Sequence, residues 1–272
     1  MRNEVSIVWD TETVPDKQRI KQCFYPSDPV SDEEAYEKYV ASLVEQKKST
    51  FLKLEFHKIV SLSMLIQDDM DDAAPDLVLK TLSAEKLTEA QIVEEFHKQL
   101  ASHNPKPRMV TFNGRGFDVP LIAMRALVNQ VPIPLLFETG TRDRSFSYHN
   151  NYIYRYSDGK HLDVMDKIAL FRYSSAPSLH SLADSCNIPG KIGIDGSNVA
   201  GLIEEGRYKD VQEYCEHDVL STALLYYRIQ LITGAINKDE HDRRVKVLLQ
   251  TAEEYSHDKY IAAYHSRNGG TH

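Results

Sequence analysis

At 272 residues, 42 % apolar and 26 % charged, the chain has the make-up of an ordinary globular protein able to bury a core. Its 32 Lys and Arg against 40 Asp and Glu leave a net charge of −8, which excludes a protein that coats duplex nucleic acid by charge alone. The same balance suits an enzyme whose carboxylates hold cations while the cations hold a phosphate. No run reaches the roughly 18 apolar residues of a membrane helix, so no membrane partner is expected. The opening residues carry no secretory signal, and Cys23, Cys186 and Cys215 form no C-x-x-C pair. The expected setting is cytoplasmic.

Residues 5–9 are apolar and β-branched and predict a buried first strand. Residues 16–50 are polar, contain Pro26 and Pro29, and read as an insertion or lid; Ser31-Asp32-Glu33-Glu34 opens a capped helix inside it. Residues 58–67 and 77–82 predict two strands joined across Asp68-Asp69-Met70-Asp71-Asp72 as an antiparallel meander. Residues 88–101 carry Ile92, Val93, Phe96 and Leu100 on one helical face behind a Thr88 cap. A short buried strand follows at 109–112, ended by Asn113-Gly114-Arg115-Gly116, then a helix over 118–130. Residues 140–158 are polar, rich in tyrosine and irregular, and 162–164 suit a fifth short strand. Helices are expected over 178–185, 196–205, 208–232 and 239–255. The whole chain, 1–272, reads as a single domain with a helical extension at 236–265 and a mobile tail at 266–272. This order implies an α/β fold, a mixed sheet flanked by helices.

Three signals carry chemistry. Asp10 and Glu12 lie two apart at the end of the first strand, so both carboxylates project to one side. Close like charges repel unless a cation lies between them, and hard oxygen donors suit Mg²⁺ or Mn²⁺. A solvated turn after a strand explains the same residues. Asp118, after the Asn113–Gly116 turn, opens a helix with Pro120 in its first turn, and a plain N-cap is the competing reading. Tyr214 and Asp218 are four apart on one face of the 208–232 helix, where a buried Tyr–Asp hydrogen bond competes with a metal role.

Taken in order, Asp10-Thr11-Glu12, then Asn113-Gly114-x-Gly116-Phe117-Asp118-Val119-Pro120-Leu121, then Tyr214-Cys215-Glu216-x-Asp218 resembles the three exonuclease motifs of the DEDD superfamily. The pattern looks like that of freestanding relatives of the proofreading exonuclease domain of family-B DNA polymerases. His161-Leu162-Asp163 and the stretch from Pro189-Gly190-Lys191 to Asp195-Gly196-Ser197-Asn198-Val199 fit the same group. The resemblance implies a ribonuclease-H-like mixed five-stranded sheet, with three antiparallel strands and two parallel. It implies Asp10, Glu12, Asp118 and Asp218 as ligands of two divalent cations, Mg²⁺ or Mn²⁺. In that superfamily the water-activating residue is a tyrosine four before the last Asp or a histidine five before it. Those positions hold Tyr214 and Glu213, which implies the tyrosine (DEDDy) subclass; His217 lies off that face.

Thr11, Asn113, Phe117 and Lys191 are the candidate substrate contacts, and Asp163 a candidate acid behind the ligands. The tyrosines at 148, 152, 154 and 156 suit either base stacking or an alternating surface. Ser178-Leu179 reads as a helix start packing on the sheet. The expected activity is metal-dependent 3′→5′ hydrolysis of DNA at a single-stranded or frayed 3′ end. The same residues would serve an exoribonuclease or a non-catalytic nucleic-acid-binding module, and a polymerase or repair partner is left open.

Overall fold

The strand predicted over 5–9 does not stop at Trp9: β1 runs Val5–Pro15. Local hydropathy ends at the polar Asp-Thr-Glu-Thr run, but an antiparallel neighbour pairs with β1 along its whole length and holds the extended backbone. The computed structural model describes residues 5–68, 76–172, 176–190, 192, 193 and 196–269. After β1 come α1 (Lys17–Phe24), which the sequence does not signal, and α2 (Asp32–Glu45), the expected capped helix, which opens with a Ser31/Glu34 capping box. The two helices close over Ile20 and Tyr39 together with Leu52 and Phe56, so residues 16–50 share a small apolar cluster with the chain that follows them.

Strands β2 (His57–Asp68) and β3 (Asp76–Ser83) form the predicted antiparallel pair. The turn placed between them falls largely outside the described residues. Helix α3 (Glu89–Ser102) is capped by Thr88 and Gln91, and β4 (Arg108–Thr111) leads through the glycine turn into α4 (Asp118–Asn129). Then come β5 (His161–Asp163), α5 (Val164–Ile168), α6 (Leu179–Ser185), α7 (Val199–Glu204), α8 (Tyr208–Ile232), α9 (Lys238–Glu254) and α10 (Asp258–Arg267). The sheet is five-stranded in the order β3-β2-β1-β4-β5. The pairs β1–β2 and β2–β3 are antiparallel, whereas β1–β4 and β4–β5 are parallel, as expected.

Side chains alternate across the sheet. Ile7 and Trp9 pack with Phe96 of α3 and Leu121 of α4, while Val8 and Val110 pack with Val219, Ala223 and Leu224 of α8. No described helix is long and apolar enough to cross a membrane. Of the tail expected at 266–272, residues 270–272 lie outside the described residues. Helix α10 continues to Arg267, whose guanidinium bonds the Asp184 carboxylate and the Ile188 carbonyl, and Asn268 bonds the Asn187 carbonyl at 2.8 Å. Polar anchoring thus holds residues that composition alone suggested would be mobile.

One buried ion cluster ties the end of β1 to α4. Arg125, 2 % exposed, donates to Glu89 at 2.7 and 2.6 Å and to Asp16 at 2.9 Å. Glu89 also accepts the Ile59 N–H of β2 at 2.8 Å. Removing one partner strands a buried charge, so Arg125→Ala is expected to lower unfolding stability by about 3–5 kcal/mol in urea titration. A loss below about 1 kcal/mol would show that the cluster does not clamp the two elements.

Candidate active site

Register with β4 covers only Ser6 to Val8 of β1, whereas register with β2 continues to Pro15. From Trp9 onward β1 therefore has an open edge, lined by Asp10, Thr11 and Glu12. Alternation sends Asp10 toward α8 and Thr11 toward α4. Between Glu12 and Thr13 the pairing with β2 shifts, a bulge that bends the strand and re-aims its side chains.

Asp118 enters at this open edge. It is the first residue of α4, one past the cap position, which Phe117 takes without a side-chain bond. The Asp118 carboxylate instead accepts the Thr11 hydroxyl at 2.5 Å. The plain N-cap reading thereby fails. The turn that delivers Asp118 is tight. Asn113 has φ +60°, a Cβ at Gly114 would run into the Thr111 side chain, and one at Gly116 would lie 2.5 Å from Asn113 Oδ1. Asp163 holds the turn from behind, accepting the Asn113 N–H at 3.0 Å and the Arg115 N–H at 2.9 Å.

Asp218 and Tyr214 reach the site from α8, where both are buried. The phenol hydrogen-bonds the Asp218 carboxylate and lies 3.4 Å from Nε2 of His180. Asp218 Oδ1 is buried with no hydrogen-bond partner among the described residues; its nearest histidine nitrogen, His180 Nδ1, is 3.9 Å away. His217 faces the other way, against His257 and Tyr260 at ring separations of 5.2 and 5.3 Å.

The four acids feel one another. Burial raises the Asp10 carboxyl well above the ordinary range, and the charges of Asp118, Asp218 and Glu12 push it further. Burial likewise raises Glu12, with Asp218 and Asp118 adding to it. Burial pushes Asp118 to about 7 against the Thr11 hydrogen bond, and pushes Asp218 to about 7 against that of Tyr214. Among the described residues, none of the main influences on these acids is a lysine or arginine. Carboxylates gathered without a protein cation, one oxygen lacking any donor, fit hard divalent ions such as Mg²⁺ or Mn²⁺.

A family model described as a predicted 3′→5′ exonuclease related to the exonuclease domain of PolB matches residues 49–268. The chain belongs to that family. The match begins after β1, so Asp10 and Glu12 precede it. Among solved structures, the family-B DNA polymerase of the archaeon Pyrobaculum calidifontis is similar at TM-score 0.51 and 12 % identity, covering 84 % of this chain and 24 % of the polymerase. This exonuclease-family chain therefore spans about a quarter of that enzyme's length. E. coli exonuclease I in complex with an oligonucleotide is similar at TM-score 0.35 and 10 % identity, over 80 % of this chain and 43 % of the other. No curated protein matches the chain.

The exonuclease-family site also holds residues that sequence reasoning passed over. His180 comes from α6, the helix start assigned to sheet packing. Cys215 puts its Sγ 3.5 Å from the Asp10 carbonyl and 4.0 Å from Asp10 Oδ2. One ligand atom each of Asp10, Glu12 and Cys215 lies within 4.8 Å of the others. Burial and the neighbouring carboxylates keep that thiol protonated, so it forms a wall of the site and leaves hard ions to the oxygens. No spacing rule points to either residue. Of the substrate candidates, Thr11 is 6 % exposed with its hydroxyl committed to Asp118. Asn113 sits at the turn, and Phe117 stands edge-on to His57 at 5.3 Å, beside exposed Phe51. Lys191 lies outside the described residues.

A carboxyl whose folded pKa exceeds its unfolded value favours the fold only while protonated. Metal-free protein is therefore expected to lose thermal stability as pH rises from about 4, the unfolded value, through about 7. Mn²⁺ should restore the melting temperature at pH 8 and do little at pH 5. In Asp218→Asn the metal-free value at pH 8 should rise by about 3 °C or more while the response to Mn²⁺ shrinks. A metal-free melting temperature that stays flat or climbs over this range contradicts the electrostatic account.

Proposed function

We propose that the protein is a 3′→5′ exonuclease that removes nucleotides from a single-stranded or frayed 3′ end of DNA with two divalent cations. The observation that supports this reading is that Asp10, Glu12, Asp118 and Asp218 raise one another's pKa values at one strand edge, with no lysine or arginine of the described residues among their main influences. The family's relation to PolB supports DNA as the substrate and the 3′ end as the point of attack.

In this reading Asp10 and Glu12 from β1, Asp118 from α4 and Asp218 from α8 hold two Mg²⁺ or Mn²⁺ ions. Bound there, the ions supply an activated water and stabilise charge on the scissile phosphate and the leaving 3′ oxygen. Thr11 keeps Asp118 turned toward β1 through its hydroxyl. Tyr214, fixed between Asp218 and His180, orients the attacking water with its phenol oxygen. A phenol of ordinary pKa near 10 is a poor proton acceptor at neutral pH, so orientation is its contribution. Protons and cations compete for these carboxylates, so the metal concentration needed for activity should rise as pH falls below about 7.

Asp10→Ala and Asp218→Ala are each expected to abolish the Mg²⁺- or Mn²⁺-dependent ladder from a 5′-labelled oligodeoxynucleotide while circular dichroism stays unchanged. Tyr214→Phe should lower kcat about 10²-fold with little effect on KM, the cost of a misplaced water. Retained shortening in both aspartate variants would sink the assignment. Faster shortening of RNA than of DNA of the same sequence would move the substrate to RNA.

A further inference from the structure

The tyrosine-rich segment after α4 is neither loose nor uniformly packed. Tyr152 points inward: it is fully buried, stacks edge-on to Phe146 at 5.3 Å and donates to the Pro107 carbonyl at 2.8 Å. Its neighbours point out. Tyr148 and His149 occupy the corner of a tight turn closed by Ser147 and Asn150, and Tyr148 is 72 % exposed. From there a row of rings runs along the surface. His149 to Tyr154 is 5.1 Å, Tyr154 to Tyr156 is 6.1 Å, and Tyr156 to Phe171 is 5.2 Å. These pairs meet edge-on rather than face-on; Tyr156 is 68 % and Phe171 39 % exposed, Tyr154 is half-buried, and the Arg155 guanidinium lies 5.8 Å from the Phe171 ring centre.

The row is built rigidly and beside the site. Buried Asn151 takes the Ser147 and Tyr148 carbonyls on its amide nitrogen and the Ile153 and Tyr154 N–H groups on its oxygen. Arg115, three residues before Asp118, donates to the carbonyls of Tyr154 at 3.0 Å and Ser157 at 3.1 Å. The turn that places Asp118 and the strip that carries the rings are thus one bonded unit. The charge is local as well. In a chain of net charge −8, residues 141–172 hold six Lys and Arg against four Asp, and Arg142 and Arg144 are exposed.

We infer that the row Tyr148–His149–Tyr154–Tyr156–Phe171 is a stacking platform for unpaired bases of the strand whose 3′ end occupies the site. The inference rests on the exonuclease reading and specifies how that site selects single strands. Core packing accounts for Tyr152 but not for a pre-ordered line of exposed rings among cations. Ring faces accept any base, and a rigid platform loses little entropy on binding. Bases held in a duplex cannot reach it, so the row binds only where pairs have opened.

The test is equilibrium binding of a labelled dT12 strand and of a blunt duplex to the full chain in EDTA, where no turnover occurs. Tyr148→Ala combined with Tyr156→Ala is expected to weaken dT12 binding about tenfold or more, with the weak duplex affinity unmoved. Tyr148→Phe with Tyr156→Phe should restore dT12 binding, because the faces return without the hydroxyls. Tyr255→Ala, an exposed tyrosine after α9, should leave it unchanged. Unchanged dT12 affinity in the alanine pair, or an equal loss on the duplex, overturns the proposal. Ring-dependent binding by a protein that cleaves nothing would defeat the exonuclease reading and keep the platform.

Discussion

Like charges taken out of water must be neutralised, by protons or by cations, and that requirement organises this molecule. Asp10, Glu12, Asp118 and Asp218 meet where their own repulsion and the loss of solvent raise all four. No packing benefit explains the arrangement. It weakens the metal-free fold at neutral pH, and the rest of the structure has to hold it closed.

Three devices do so. Strand β2 pairs with β1 well beyond the end of β4, so one edge of β1 is rigid and the other open. The Arg125–Glu89–Asp16 cluster fastens α4 to the end of β1, and the Asn113–Gly116 turn, gripped by Asp163, sets the first residue of α4 against Thr11. The long helix α8 lies across the sheet's other face with its apolar side on Val8 and Val110, which leaves Tyr214 and Asp218 at the level of Asp10. The aromatic strip is fastened to the same turn through Arg115, so the proposed platform and the proposed metal site share a scaffold.

Much of this was legible in the chain because local rules govern it. Residues two apart on a strand share a side, as Asp10 and Glu12 do, and residues four apart share a helix face, as Tyr214 and Asp218 do. The helix caps at Ser31 and Thr88 are local too, and both appeared where expected. What escaped depends on partners distant in sequence. The extension of β1 comes from β2. Asp118 looks like an N-cap until Thr11, 107 residues away, claims it. His180 and Cys215 carry no spacing signal: one depends on how α6 docks beside α8, the other on which side of a largely buried helix meets β1. The tyrosines split into one buried anchor and an outward row because the Pro107 carbonyl accepts the Tyr152 hydroxyl while Arg115 holds the backbone carbonyl of Tyr154.

The most direct measurement is a crystal structure grown with Mn²⁺ and phased on its anomalous signal. The account predicts two peaks about 3.5–4 Å apart, bounded by carboxylate oxygens of Asp10, Glu12, Asp118 and Asp218. An empty pocket at saturating Mn²⁺, or ions seated away from those four side chains, would contradict it.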